Sequence, residues 1–267
     1  MVEKKSLDEI QGYWEAAAGA PVDSDGLRPV ARDPYLQQAV EDAIVPLLPR
    51  DARVLDIGCG DGLSTLRFAP LVKSVLGVDY IEGFVAAARE SARRAGVSNV
   101  SFMRGDVLDL APARAAAGLV DVAVSIRCLI NLNSWERQRQ ALDEIAACIR
   151  PGGLYLLSEG WSEGMDGLNQ LRERAAMEPI RTVDYNLLMR RSDFEAHVAD
   201  KFDIEGYVGL GFYLVMSRIL QPFIRHPAPP RHDDAVNRLA AALQRHCPND
   251  GLLDAYDYAG VYVLRRR

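Results

Sequence analysis

Two features of this 267-residue chain predict an α/β fold built on an open, mainly parallel sheet. Short apolar segments alternate with helical stretches through the middle of the chain, the pattern of βαβ units. One such segment, Val54-Leu55-Asp56-Ile57, runs straight into Gly58-Cys59-Gly60-Asp61-Gly62. Glycine lacks a Cβ and accepts positive φ, so a strand ending in such a loop lets backbone lie directly against a ligand.

The elements follow in order. Residues 8–48 read as a helical arm ahead of the sheet. Strands are expected at Arg53–Ile57, Ser74–Asp79, Val100–Arg104, Val120–Ser125 and Leu154–Ser158. Helices between them span Leu63–Pro70, the alanine-rich Ile81–Ala95 before the C-cap residue Gly96, and Ser134–Ile149 with Ser134 as N-cap. Pro151-Gly152-Gly153 stops that last helix and turns the chain. The pattern then changes. Helices are expected at Asp166–Met177 and Ser192–Lys201 and a strand at Phe202–Val208. Next come an apolar helix at Gly211–Ile224, a proline-rich loop at 226–232, an amphipathic helix at Asp233–His246 and a last strand at Tyr258–Leu264. A helix apolar on nearly every side should be buried. Ordinary packing, a roof over an acceptor pocket and a homodimer contact are its three readings.

Bulk properties narrow the function. A net charge of −6 and two short basic clusters, Arg190–Arg191 and Arg265–Arg267, argue against a nucleic-acid partner. No apolar run approaches the roughly 20 residues of a membrane span. The first ten residues have no apolar core, so no secretory signal is expected. Cys59, Cys128, Cys148 and Cys247 form no C-x-x-C and no zinc-ligand spacing with histidine. Reduced thiols in a cytoplasmic protein, with no bound metal, are the expectation.

Ligands of open parallel sheets bind at the carboxyl ends of the strands. That rule selects Gly58–Gly62, Asp79–Tyr80, Asp106–Val107, Ser125–Arg127 and Glu159–Trp161. A dinucleotide fingerprint needs its third glycine at position 63, which is Leu63. The spacing is G-x-G-x-G instead, with Asp56 two residues before the first glycine.

Five ordered blocks, VLDIGCGDG, GVDY, RGDVLDL, VDVAVSIRCL and LIRPGGLYLLSEG, resemble class I S-adenosylmethionine (SAM) dependent methyltransferases of the small-molecule type. The resemblance implies a Rossmann-like seven-stranded sheet, mostly parallel with an antiparallel last strand and helices on both faces. It implies SAM as cofactor. Residues 1–50 then form an N-terminal helical arm or lid, and residues 51–267 the SAM-binding domain. The stretch at about 209–257 exceeds a hairpin loop and is expected to be an inserted helical cap.

The same resemblance distributes roles. Gly58, Cys59 and Gly60 form the cofactor loop, and Asp56 orders it or meets the methionine amino group. Asp79, with Tyr80 beside it, accepts from the ribose hydroxyls. Asp106 accepts from the adenine amine, and the Val107 N–H meets a ring nitrogen. Arg32 or Tyr13 meets the methionine carboxylate. Arg127 stands where cofactor and acceptor meet and favours an anionic acceptor; Asn131 and Tyr185 are further acceptor contacts. His226, His232 and Glu159 are the candidate bases. SIRC stands where nucleic-acid amino-methyltransferases carry N/D-P-P-Y/F. The expected reaction is methyl transfer to a small molecule, at a hydroxyl or carboxylate oxygen of a sugar or natural-product intermediate. N-methylation and a catalytically silent SAM-binding regulatory module are the alternatives.

Overall fold

A computed structural model describes residues 5–20, 32–247 and 251–267; Arg28, part of the expected arm, lies outside them. Strands are Arg53–Ile57 (β1), Ser74–Asp79 (β2), Val100–Arg104 (β3), Val120–Ile126 (β4), Ile149–Ser158 (β5), Phe202–Val208 (β6) and Val261–Arg266 (β7). Among the described residues they form one seven-stranded sheet in the order β3-β2-β1-β4-β5-β7-β6. Pairing is parallel from β3 to β5, while β7 runs antiparallel to both β5 and β6. The expected seven-stranded architecture is therefore present.

Helices are Leu7–Ala18 (α1), Pro34–Ile44 (α2), Leu63–Phe68 (α3), Glu82–Ala95 (α4), Ala111–Ala117 (α5), Trp135–Cys148 (α6), Ser162–Arg174 (α7) and Arg191–Val198 (α8). Gly211–Val215 (α9) continues through a π-helical turn, Met216–Leu220, into Gln221–Arg225 (α10), and Ala235–Gln244 (α11) follows. Central strands are apolar at successive positions because both faces are covered. On one face Leu55, Ala123, Tyr155 and Leu157 pack with Leu142 and Ile145 of α6 and Phe194 of α8. On the other, Val54, Val122, Val124 and Leu156 pack with Val40 and Ile44 of α2, Leu214 of α9 and Ala240 of α11.

Several boundaries differ from the sequence reading. Strand β5 begins at Ile149, so Pro151-Gly152-Gly153 is an irregularity within it, with a register shift against β4. Gly152 has φ +75°, and a Cβ on Gly153 would stand 2.9 Å from the Asp121 carbonyl oxygen. Helix α7 starts four residues early and contains Gly164, where a Cβ would stand 1.9 Å from the Asp257 carbonyl oxygen. Glycine here serves helix-to-backbone contact rather than helix breaking. Strand β7 starts three residues late. The buried Asp257 accepts the Ala259 and Gly260 N–H groups (both 2.9 Å) and delays the strand by a turn.

The insertion at 209–257 is not a cap. Its helices lie on the α2 face of the sheet, away from the strand ends that carry the cavity described below. The apolar helix is only partly buried: Phe223 and Ile224 are 52% and 60% exposed. An ion pair anchors the insertion to α2. Asp33, buried at the α2 N-cap, accepts from Arg218 Nη2 (2.5 Å), the Tyr213 hydroxyl (2.6 Å) and the Leu36 N–H (3.0 Å). Against its burial, the Arg218 charge and hydrogen bonds from His232, Tyr213 and Arg218 hold the Asp33 carboxyl well below the usual carboxylate range. Arg218→Ala should lower stability by about 3 kcal/mol, the low end for breaking a buried pair, because two donors remain. Urea unfolding checks this as a lower midpoint at unchanged slope.

Candidate functional site

The carboxyl ends of β1 to β4 open into a cavity of about 340 Å³. Its floor is the glycine loop. The Gly58 and Cys59 N–H groups both donate to the Val78 carbonyl (2.8 and 3.1 Å), which pins the loop to β2. Gly58, Gly60 and Gly62 have φ of +71°, +54° and +81°. A Cβ on Gly58 would stand 2.7 Å from Cys128 Cβ and Sγ, and one on Gly62 2.8 Å from Ala88 Cβ. Conformation and space both demand glycine there.

Carboxylates brace this floor. Asp79 accepts the Gly60 N–H through Oδ2 (2.8 Å) and the Ile81 N–H through Oδ1 (2.9 Å). Each oxygen keeps a second lone pair for a ligand hydroxyl. Burial moves the Asp79 carboxyl upward. Asp56, fully buried, accepts from the Thr65 hydroxyl (2.5 Å). Burial first, then the nearby Glu41 and Asp79 charges, push it up to about 7 against that bond. Asp106 accepts the Leu108 N–H (2.9 Å), which shapes the turn after β3. Burial raises the Cys59 and Cys128 thiols far above their ordinary range, so both stay protonated.

Helix α1 forms the roof. It starts in a capping box: the Glu9 N–H donates to Ser6 Oγ (3.2 Å) and the Ser6 N–H to Glu9 Oε2 (2.8 Å). The Tyr80 hydroxyl donates to Gln11 (3.2 Å), Trp14 Nε1 donates to Asn131 Oδ1 (3.2 Å) and Asn133 donates to the Lys5 carbonyl (3.1 Å). An aromatic wall stands beside it. Tyr13 and Tyr185 rings lie 4.5 Å apart, and Trp14 lies 5.8 Å from Tyr185 and 6.3 Å from Phe84. Arg32 donates to the Tyr13 hydroxyl (3.0 Å).

Most residues selected from sequence meet in this one cavity. Asp56, Gly58, Cys59, Gly60, Asp79 and Tyr80 line it from the first two strands. Asp106, Val107, Arg127 and Asn131 line it from the next two, and Arg32 and Tyr185 from outside the sheet. Tyr13 does not; it backs Tyr185 instead.

The three candidate bases are elsewhere. Glu159 is fully buried beneath the β4 loop, where its carboxylate accepts the N–H groups of Cys128 (2.9 Å), Leu129 (2.8 Å) and Ile130 (3.0 Å). Burial pushes it up to about 7 despite those three donors and the Arg127 charge. Exposed His226 and His232 travel with the insertion, and His232 Nδ1 lies 3.5 Å from Asp33. No lining position falls to any of the three.

Gln11, Gln37, Ser64 and Asn186 line the cavity without having been selected. Two signals pointed to their helices: Ser6-x-x-Glu9 opens α1, and Asp33-Pro34 opens α2 with proline at its first position. Gln37 donates to Ser64 (2.7 Å), which joins α2 to the start of α3. Among the described residues no three His, Cys, Asp or Glu side chains gather to hold a metal, and no helix is long and apolar enough to cross a membrane.

A seven-stranded sheet of this order, with a glycine cradle after β1 and acids after β2 and β3, defines the class I methyltransferases. Residues 54–153 match the family described as Methyltransferase domain, and the chain has the Rossmann-like methyltransferase fold. The arsenite methyltransferase of Aquipseudomonas alcaligenes is 36% identical over 127 residues, covering 45% of this chain and 36% of that protein. YcgJ of Bacillus subtilis, named an uncharacterized methyltransferase, is 31% identical over 128 residues, covering 45% of this chain and 48% of its own length. The chain thus spans about half or less of the length of these curated relatives. Magnesium protoporphyrin IX methyltransferase from Synechocystis PCC 6803, solved with bound S-adenosylhomocysteine (SAH), shares the fold at TM-score 0.61. It is 16% identical, and the match covers 98% of this chain and 100% of that one.

Two outcomes follow from the buried acids. Glu159→Gln presents an NH₂ to three N–H donors and should cost about 1–3 kcal/mol through unsatisfied amides, seen as a lower urea midpoint. Asp56 is held higher in the fold than its ordinary 3.8. Its contribution is therefore full below about pH 4 and lost as pH rises through about 7. Asp56→Asn should flatten that part of the stability–pH curve, which chemical denaturation across pH 4–8 measures.

Proposed function

We propose that the cavity binds SAM and that the chain transfers its methyl group to a small-molecule oxygen, a hydroxyl or carboxylate of a sugar or natural-product intermediate. One observation carries this: a single roofed cavity gathers the glycine cradle and the acids that follow β1, β2 and β3. The cradle is the fit test for the cofactor: Gly58 and Gly60 line the cavity at positive φ, so backbone stands open to the ligand there.

In this reading Gly58, Cys59 and Gly60 support the methionine end and Asp56 holds the cradle rigid through Thr65. Asp79 accepts from the ribose hydroxyls, with Tyr80 beside the sugar. Asp106 and the Val107 N–H meet the adenine edge. Arg32, in the lining, takes the methionine carboxylate; Tyr13 supports Arg32 from behind. SAM supplies an electrophilic methyl group when bound, so the protein's share is proximity, alignment and exclusion of water. The α1 roof and the wall of Trp14 and Tyr185 cover a cavity of about 340 Å³, a size that supports a small acceptor over a folded macromolecule. Four unpaired thiols agree with a reducing cytoplasm.

Asp79→Ala should weaken SAH binding by about 1–3 kcal/mol, the scale of hydrogen bonds to a charged acceptor. Isothermal calorimetry reads the change; an unaltered Kd removes the ribose role. Transfer of labelled methyl from SAM to a panel of alcohols, acids and amines tests the reaction, and product confined to amines removes the oxygen acceptor.

A further inference from the structure

The acceptor end of the cavity, after β4, is bounded by Arg127, Asn131, Leu132, Tyr185, Asn186 and Trp14. Its polar groups are one guanidinium, two carboxamides, a phenol and an indole N–H. None can take a proton at neutral pH. Burial and the neighbouring Tyr13 push the Tyr185 phenol up to about 12. Asn131 is committed, donating to the Arg127 carbonyl (2.9 Å) and accepting from Trp14 (3.2 Å). Glu159 is spent on three backbone amides, and His226 and His232 lie with the insertion.

The lining carboxylates stand at the other strand ends. Asp56 and Asp79 lie at the ends of β1 and β2, Asp61 follows β1 and Asp106 follows β3. Asp8 stands in the first turn of the roof helix α1. An acceptor that had to lose a proton would find no base beside it, and an ammonium would face a guanidinium.

Arg127 is held with unusual firmness. Its φ is +53°, a region that side chains other than glycine, asparagine and aspartate seldom enter. Its N–H donates to the Ser158 carbonyl (2.8 Å), its carbonyl accepts from Asn131, and the next three N–H groups close on Glu159. Left-handed backbone at a non-glycine persists where surrounding bonds over-determine it, and such residues cluster at ligand sites. Arg32 donates to the Tyr13 hydroxyl, which also accepts from Tyr185, and Arg127 lines the same cavity. Trp14 and Tyr185 supply flat apolar surface next to them.

We propose that the acceptor is a small carboxylic acid with a planar, apolar body, held by Arg127 against the Trp14–Tyr185 wall and methylated on its carboxylate oxygen. The inference rests on the SAM reading given above. An ordinary carboxylic acid is already ionised at neutral pH, so no base is needed. A carboxylate oxygen forms the new C–O bond to the methyl carbon as the C–S bond breaks and its electron pair remains on sulfur. Anion and sulfonium become a neutral methyl ester and a neutral thioether, and no proton moves. Arg127 is then a specificity-determining residue, and Glu159 positions it through the backbone.

Calorimetry on the full chain saturated with SAH tests this with phenylacetate and indole-3-acetate, their primary amides and phenethylamine. The acids should bind and the amides and amine should bind at least tenfold more weakly. Arg127→Gln should weaken the acids tenfold or more beyond any change in the SAH Kd; Arg127→Lys should recover part of the loss. With labelled SAM, the acid product should release label as methanol in alkali, as an ester does. The proposal is overturned if neither acid binds the SAH complex, if amide or amine binds as well as acid, or if label is stable to alkali. In those cases intact SAH binding leaves the cofactor reading standing, whereas a wild-type chain that fails to bind SAH removes both.

Discussion

Buried carboxylates holding backbone amides give the carboxyl edge of this sheet its form. Glu159 takes three N–H groups after β4, Asp79 takes two around the glycine loop, and Asp257 takes those of Leu210, Ala259 and Gly260. Loops at this edge have no ladder partners, and unpaired buried N–H groups would be costly. A carboxylate carried at or just after a strand end satisfies several at once through charge-assisted bonds. The loops thereby inherit the stiffness of the strands. Withdrawing such charges from water has a cost, visible as the upward displacement of Asp56, Asp79, Glu159 and Asp257.

Much of this was legible in the sequence, because the determinants are local. The alternation of apolar segments and helices located the strands, and six of the seven begin or end where the pattern places them. Asp79, Asp106 and the glycines were found because strand ends in an open sheet select them before any chemistry is considered, and Asp56 through its place two residues before the first glycine. Errors arose where a residue answers to a distant neighbour. Gly153 looked like a turn after a helix, yet it lies within β5 and admits the Asp121 backbone to close contact. Glu159 looked like a base at a strand end, and only the fold shows three amides converging on it. His226 and His232 were placed over the cavity on the assumption that an insertion must cover it.

The two additions to the sheet divide their tasks. The insertion thickens one face against α2, joined by Asp33 and Arg218, and lies apart from the cavity, which α2 reaches through Gln37. α1 covers the cavity itself, and its footing reaches Tyr80 at one strand end and Asn131 at another. One flank of the sheet therefore carries stability and the other edge carries recognition.

The thin footing of α1 sets a tempo. This helix buries one residue, Ile10, and two of the three hydrogen bonds tying it to the strand ends are single side-chain pairs. Weakly packed elements detach at small free-energy cost, on microsecond to millisecond scales. What holds this cover down is a set of side-chain contacts, Tyr13 and Trp14 on Tyr185 and Trp14 on Phe84, rather than a buried face, so the same rings that wall the cavity also latch its lid.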